Sequence, residues 1–154
     1  MRLFAKWRVL AGIVGCLVVG WSAAHHVSAQ RRTLITMTRL YSGSDGQTHA
    51  ESIEEKLMPS RRLAGIDESE LFKASGAQFL SFPAGHMMDW HTAAFRQYIV
   101  TFSGRGEIEL GGGEKTQINP GQIVLAEDLT GKGHITRSIG SEDLALLIVR
   151  FEAQ

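Results

Sequence analysis

From residue 78 to residue 151 the chain repeats one pattern: four to eight residues rich in β-branched and aromatic side chains, then a break that is usually built on glycine. The segments are 78–82, 95–102, 107–110, 115–118, 122–125, 134–139 and 144–151. No stretch of ten residues between them carries apolar side chains at helical spacing, so a βαβ arrangement is excluded and an all-β sandwich or barrel is expected. Gly111-Gly112-Gly113 precedes a strand pattern rather than a helix N-terminus, and so reads as a hairpin turn, not a phosphate cradle. Asn119-Pro120-Gly121 is a second tight turn, with proline presetting its backbone.

Upstream the signals weaken. Residues 33–40 are rich in β-branched side chains and run into Tyr41-Ser42-Gly43-Ser44-Asp45-Gly46, a dense turn signal, so a strand and a loop are expected. Residues 50–57 fit two helical turns stopped by Pro59, and residues 67–73 fit either a short helix or an edge strand. We divide the chain into residues 1–29, a targeting segment; residues 30–75, an N-terminal strand and irregular segment packing on the barrel; and residues 76–154, the barrel core. Residues 33–72 also offer a surface for a homodimer contact.

The targeting segment has a basic start (Arg2, Lys6, Arg8), an apolar run over residues 9–24, and Val27-Ser28-Ala29, with small residues where a signal peptidase cuts. Sixteen apolar residues span about 24 Å as a helix, short of a bilayer core of about 30 Å. A signal cleaved after Ala29 is therefore expected, and with it a periplasmic or secreted protein. Arg31 and Arg32 oppose translocation and keep an uncleaved anchor at residues 9–24 as the alternative, the one expected contact with a membrane. Removing 29 of the 154 residues takes three of the sixteen basic residues and none of the sixteen acidic ones, leaving 125 residues at a net charge of −3. The single cysteine, Cys16, leaves with the signal, which suits an oxidising compartment. Balanced charge, with no cluster of basic and aromatic residues, argues against nucleic acid as a partner. Without C-x-x-C motifs, any bound metal must be held by histidine and oxygen.

Gly85, His91, Gln97 and Gly104 fall at the spacings of a Gly, a first His, a Glu and a final Gly, and Gly121 and His134 lie near the ends of a second pattern. Over residues 85–138 the chain resembles the small single-domain cupins in these two motifs. Ala93 stands where the second His of the first motif falls, Gln97 replaces its Glu, and Glu127 replaces the proline of the second. The resemblance implies a double-stranded jelly-roll barrel, preceded here by a targeting helix. It also implies an interior site in which His91 and His134 are the surviving ligands of a divalent ion such as Fe, Mn, Zn or Ni.

Three chemistries are open at that site. Residues two apart on a strand share a face, which places Asp89 beside His91 on the inner wall. His91, His134 and Asp89, with the amide of Gln97 as a weak fourth ligand, would then hold a metal for assisted oxidation or isomerisation. Alternatively, a carboxylate orients a histidine as a metal-free general base: Asp89 with His91, or Glu127 or Asp128 near His134. In the third reading the barrel binds a small organic molecule without turning it over. Trp90, Phe95 and Tyr98 then shape its mouth, Asp128 contributes to ligand binding, and Arg96 grips a carboxylate. Trp90 equally suits packing on the opposite face, and Met87 and Met88 read as core filler.

Overall fold

The computed structural model describes residues 34–152, and the regular elements among them are all strands. In chain order these are β1 (Ile35–Ser42), β2 (Thr48–Glu55), β3 (Met58–Pro59), β4 (Asp67–Glu68), β5 (Ala74–Phe82), β6 (Met87–His91), β7 (Gln97–Ser103), β8 (Arg105–Glu109), β9 (Lys115–Ile118), β10 (Ile123–Glu127), β11 (His134–Ile139) and β12 (Leu144–Phe151). The targeting segment, residues 1–29, lies outside the described residues.

From β5 onward the chain crosses repeatedly between two sheets. β5, β12, β7 and β10 are hydrogen-bonded neighbours in one, and β6, β11, β8 and β9 in the other. Eight strands shared in this order make a jelly roll of the cupin type, the architecture that the two motifs imply. Gly104 makes the tight corner between β7 and β8. Its φ of 71° is left-handed, and a Cβ there would collide with the carbonyl of Asp143.

The N-terminal hairpin extends the first sheet. β1 lies parallel to β10, with Thr38 opposite Val124 and Tyr41 opposite Glu127. Gly43 N–H donates to the Gln47 carbonyl at 2.8 Å, closing the turn that folds β2 back onto β1 in an unbroken ladder from Ser42–Thr48 to Ile35–Glu55. Residues 50–57 are thus mostly strand rather than helix. The long ladder offered by β1 outweighs a helical spacing only two turns long. Residues 67–73 yield one short pairing, β3 with β4, and then an irregular run to β5. Met87–His91, outside the seven expected segments, is a strand, because β11 supplies its partner.

Alternation along each strand divides the apolar residues between two layers. Leu40, Val124, Leu144, Leu146 and Ile148 of the first sheet meet Ile108 and Ile118 of the second, forming the core inside the barrel. Met37, Leu125 and Phe151 cluster on the outer side of the first sheet, where Phe72 packs edge-on against Tyr98 and Phe151 at centroid distances of 5.2 and 5.4 Å. β10 is therefore covered on both faces, which explains its nearly continuous apolar sequence.

Leu40 has no exposed surface and belongs to the inner core, so the hairpin is part of the barrel rather than an appendage. Leu40→Ala is expected to cost about 2–5 kcal/mol in urea unfolding; a loss well under 1 kcal/mol would show the hairpin to be dispensable.

Candidate functional site

β6 and β11 are antiparallel neighbours, and their register sets His91 directly opposite His134. The ring centroids are 4.4 Å apart and both side chains line a cavity of about 290 Å³ between the sheets. The close approach depends on Gly133. At its φ of 78° a side chain is strained, and a Cβ would strike the backbone carbonyl of His91.

Each imidazole is held from behind by Nδ1. In His134, which is only 3% exposed, Nδ1–H donates to Asp128 Oδ2 at 2.6 Å. The same oxygen accepts the Thr48 hydroxyl at 3.0 Å, so the N-terminal hairpin helps fix the carboxylate. The backbone carbonyl of Asp128 accepts Ala93 N–H at 3.1 Å, tying the loop after His91 to the same residue. In His91, Nδ1–H donates to the Asp89 carbonyl at 2.7 Å. A carbonyl only accepts, so the proton belongs on Nδ1 and Nε2 keeps its lone pair; beside the Asp128 carboxylate the same assignment holds for His134. Burial pulls the His91 pKa below its ordinary 6.5, and positive charge on His134 acts in the same direction. Both oppose the Asp89 carbonyl and the Asp128 carboxylate, which favour the charged ring. The site at neutral pH therefore presents His91 as a neutral base.

Asp89 is not on the inner wall. Between the pairs His91–His134 and Met88–Thr136, β6 spends three steps where β11 spends two, so Asp89 and Trp90 together face Ile135. This β-bulge breaks the alternation, and Met88, three residues before His91, shares the cavity wall with it. The Asp89 side chain is exposed and accepts its neighbour's N–H, that of Trp90, at 2.8 Å.

Several other expected residues stand elsewhere. Arg96 binds Glu127, which also accepts Arg39 Nε at 2.5 Å, so its guanidinium is occupied outside the cavity. Tyr98 alternates with the cavity residues Gln97 and Ile99 and joins the outer aromatic cluster. Trp90 is also absent from the wall and has the Lys132 ammonium 3.7 Å above its ring. Met87 and Met88 are partly exposed rather than core filler. Asp128 is fully buried behind His134, where it positions the imidazole rather than meeting a ligand directly. Gln97 lines the cavity, as do Thr136, Gln78 and Arg150, which sequence reading did not single out. The signal for Arg150 was present: it ends the inward series Leu144, Leu146, Ile148 with a charge.

These positions do not fit the metal centre that the resemblance implies. With Asp89 turned away and Asp128 engaged behind His134, two imidazoles and the Gln97 amide remain. Among the described residues no three His, Cys, Asp or Glu side chains are grouped to share an ion.

No protein-family model matches the sequence, and no curated protein matches it. Solved structures do. A Cupin 2 conserved barrel domain protein from Salinispora arenicola aligns at a TM-score of 0.43 and 16% identity, over 50% of this chain and 62% of that one. A cupin domain from Bordetella pertussis aligns at 0.42 and 14%, over 64% and 96% of the two chains. The Cnp3 cupin domain of Schizosaccharomyces pombe aligns at 0.42 and 16%, over 79% and 86%. The jelly roll itself is established by the strand order described above.

A histidine whose pKa is lower folded than unfolded binds fewer protons in the native state. Its contribution to stability is complete above the unfolded value of about 6.5 and declines as pH falls through 6.5 towards the folded value. Urea midpoints of the wild-type chain are expected to drop from pH 7.5 to pH 5.5, and His91→Gln to flatten that drop. Glu127 and Asp45, whose pKa values are lowered from 4.5 and 3.8, act at more acid pH. Identical slopes for the two proteins would remove the partly buried neutral imidazole of His91.

Proposed function

We propose that the barrel binds a small organic molecule and that His134, oriented by Asp128, moves a proton on it without a metal. The observation that carries this reading is the buried pair itself: a carboxylate oxygen 2.6 Å from Nδ1 of an imidazole in the cavity wall. The carboxylate holds the tautomer that leaves the lone pair on Nε2 free to accept a proton, and keeps the ring in place as it does so. An imidazole, with an unperturbed pKa of about 6.5, abstracts a C–H proton only where a neighbouring carbonyl acidifies it. The substrate class is therefore a carbonyl compound with an adjacent C–H, whose oxygen could be met by Gln97 or Thr136.

Both imidazoles come from adjacent strands of one sheet, so they reach the ligand from one side. That arrangement suits removal and return of a proton on a single face, as in an isomerisation. It does not suit inversion of a centre, which needs bases on opposite faces. His91, neutral and adjacent, is placed to take the proton on or return it.

The test is exchange of C3 hydrogens of 2-oxobutyrate, and of the hydrogens flanking the carbonyl of butanone, for deuterium in heavy water. The wild-type chain is expected to accelerate exchange in at least one probe. Asp128→Asn, which disturbs the tautomer while keeping the shape, should slow it by about 10²-fold or more. Exchange no faster than in buffer, or untouched by Asp128→Asn, would refute the acid–base role. Metal dependence would appear as activity abolished by chelator and restored by Fe(II) or Mn(II), which this reading does not expect.

We further propose that the barrel works outside the cytoplasm, on the strength of the basic start, apolar run and Val27-Ser28-Ala29 boundary. Sequencing the N-terminus of protein recovered from its native cell should find Gln30 first; an intact Met1 would contradict cleavage.

A further inference from the structure

The cavity has a polar end on the sheet opposite the histidines. Arg150 is directly across from Gln97 on β7, and Gln78 on β5 pairs with Ile148, two residues before Arg150 on β12. All three side chains line the cavity. We propose that Arg150, with Gln97 and Gln78 beside it, is a carboxylate subsite, so that the ligand of this barrel is a small organic acid. The inference rests on the cavity being the binding site and adds the ligand's charge and orientation.

The state of the guanidinium supports it. Arg39, Arg62, Arg96 and Arg137 each lie within 4 Å of a carboxylate; among the described residues Arg61, Arg105 and Arg150 meet none, and of these Arg61 and Arg105 are exposed whereas Arg150 lines the cavity. Its Nε is buried and has no hydrogen-bond partner there. Arg150 is partly exposed, but an N–H held out of water without a partner is costly, and that cost is recovered when an acceptor enters. The guanidinium carbon is 4.7 Å from the centre of the Phe95 ring. Contact with an aromatic face restrains the guanidinium while leaving N–H groups along its edge, the fork that matches two carboxylate oxygens. Gln97 and Gln78 bring neutral amide donors to the same end, so nothing in the immediate group repels an anion. A volume of about 290 Å³ limits the guest to a small acid. With the carboxylate on the first sheet, the remainder of the molecule extends towards His91 and His134 on the second.

The experiment compares an acid with its uncharged counterpart. Imidazole resonances of the full chain are followed by NMR during titration with 2-oxobutyrate and separately with butanone. The wild-type chain is expected to bind the acid at least about tenfold more tightly, the range of a charged hydrogen bond. Arg150→Gln should abolish that preference, and Arg150→Lys, which keeps charge without the fork, should restore part of it. Equal affinity of the wild type for both probes, or an undiminished preference in Arg150→Gln, overturns the subsite alone. The first comparison needs no variant and so survives any folding defect. If neither probe shifts the histidine resonances, the binding role of the cavity falls and the subsite falls with it.

Discussion

The candidate site is organised around a carboxylate sealed inside the protein. Asp128 has no exposed surface, yet it connects three parts of the fold: Thr48 from the N-terminal hairpin, His134 from β11, and the Ala93 amide just beyond His91. A buried acid is tolerable where neighbours donate to it, as Thr48 and His134 do to Oδ2, while Ala93 N–H bonds the backbone carbonyl of the same residue; each of these contacts constrains an element that local sequence would leave free. The pairing of β1 with β10 brings Thr48 to the acid, the end of β10 presents it, and the loops after β6 and β10 fold round it. Positioning of the imidazole pair is thus a property of the whole barrel.

Its neighbour in sequence does the reverse. Glu127 faces outward and gathers Arg39 and Arg96 into a cluster that joins β1 and β10 across the outer surface. Burial alone would raise the Glu127 pKa, but hydrogen bonds from Arg96 and Arg39 outweigh it and hold the group ionised. Two adjacent acids therefore brace the same junction from opposite sides, one through partly exposed arginines and the other through an enclosed hydroxyl and ring.

Much of the fold was legible in the sequence because the jelly roll is built from short strands punctuated by glycine, and each strand carries its own period-two signal. The histidines, too, could be found by spacing. What could not be found was the effect of one extra residue. Nothing in Met87-Met88-Asp89-Trp90-His91 announces a bulge, since the irregularity comes from matching β6 to β11, not from a local preference. Strict alternation therefore placed Asp89 inside when the count of residues against the partner strand puts it outside. Arg96 stands away from the cavity for a related reason. Arg96 is close to the motif in sequence, but Glu127 claims it, while Arg150, far away along the chain, completes an inward-facing row that only pairing with β7 brings to the cavity. Residues 47–75 were obscure because their strands are set by partners more than by composition.

The bulge in β6 also bears on how such a barrel could change its chemistry over evolutionary time. The acid that a two-histidine, one-carboxylate centre lacks is present, displaced by a single position from Met88, the wall residue beside His91. Exchanging which of two successive codons specifies the acidic side chain would alter what this chamber can hold, with the scaffold untouched. Ancestral and descendant barrels could thus diverge in reactivity while remaining superimposable in backbone.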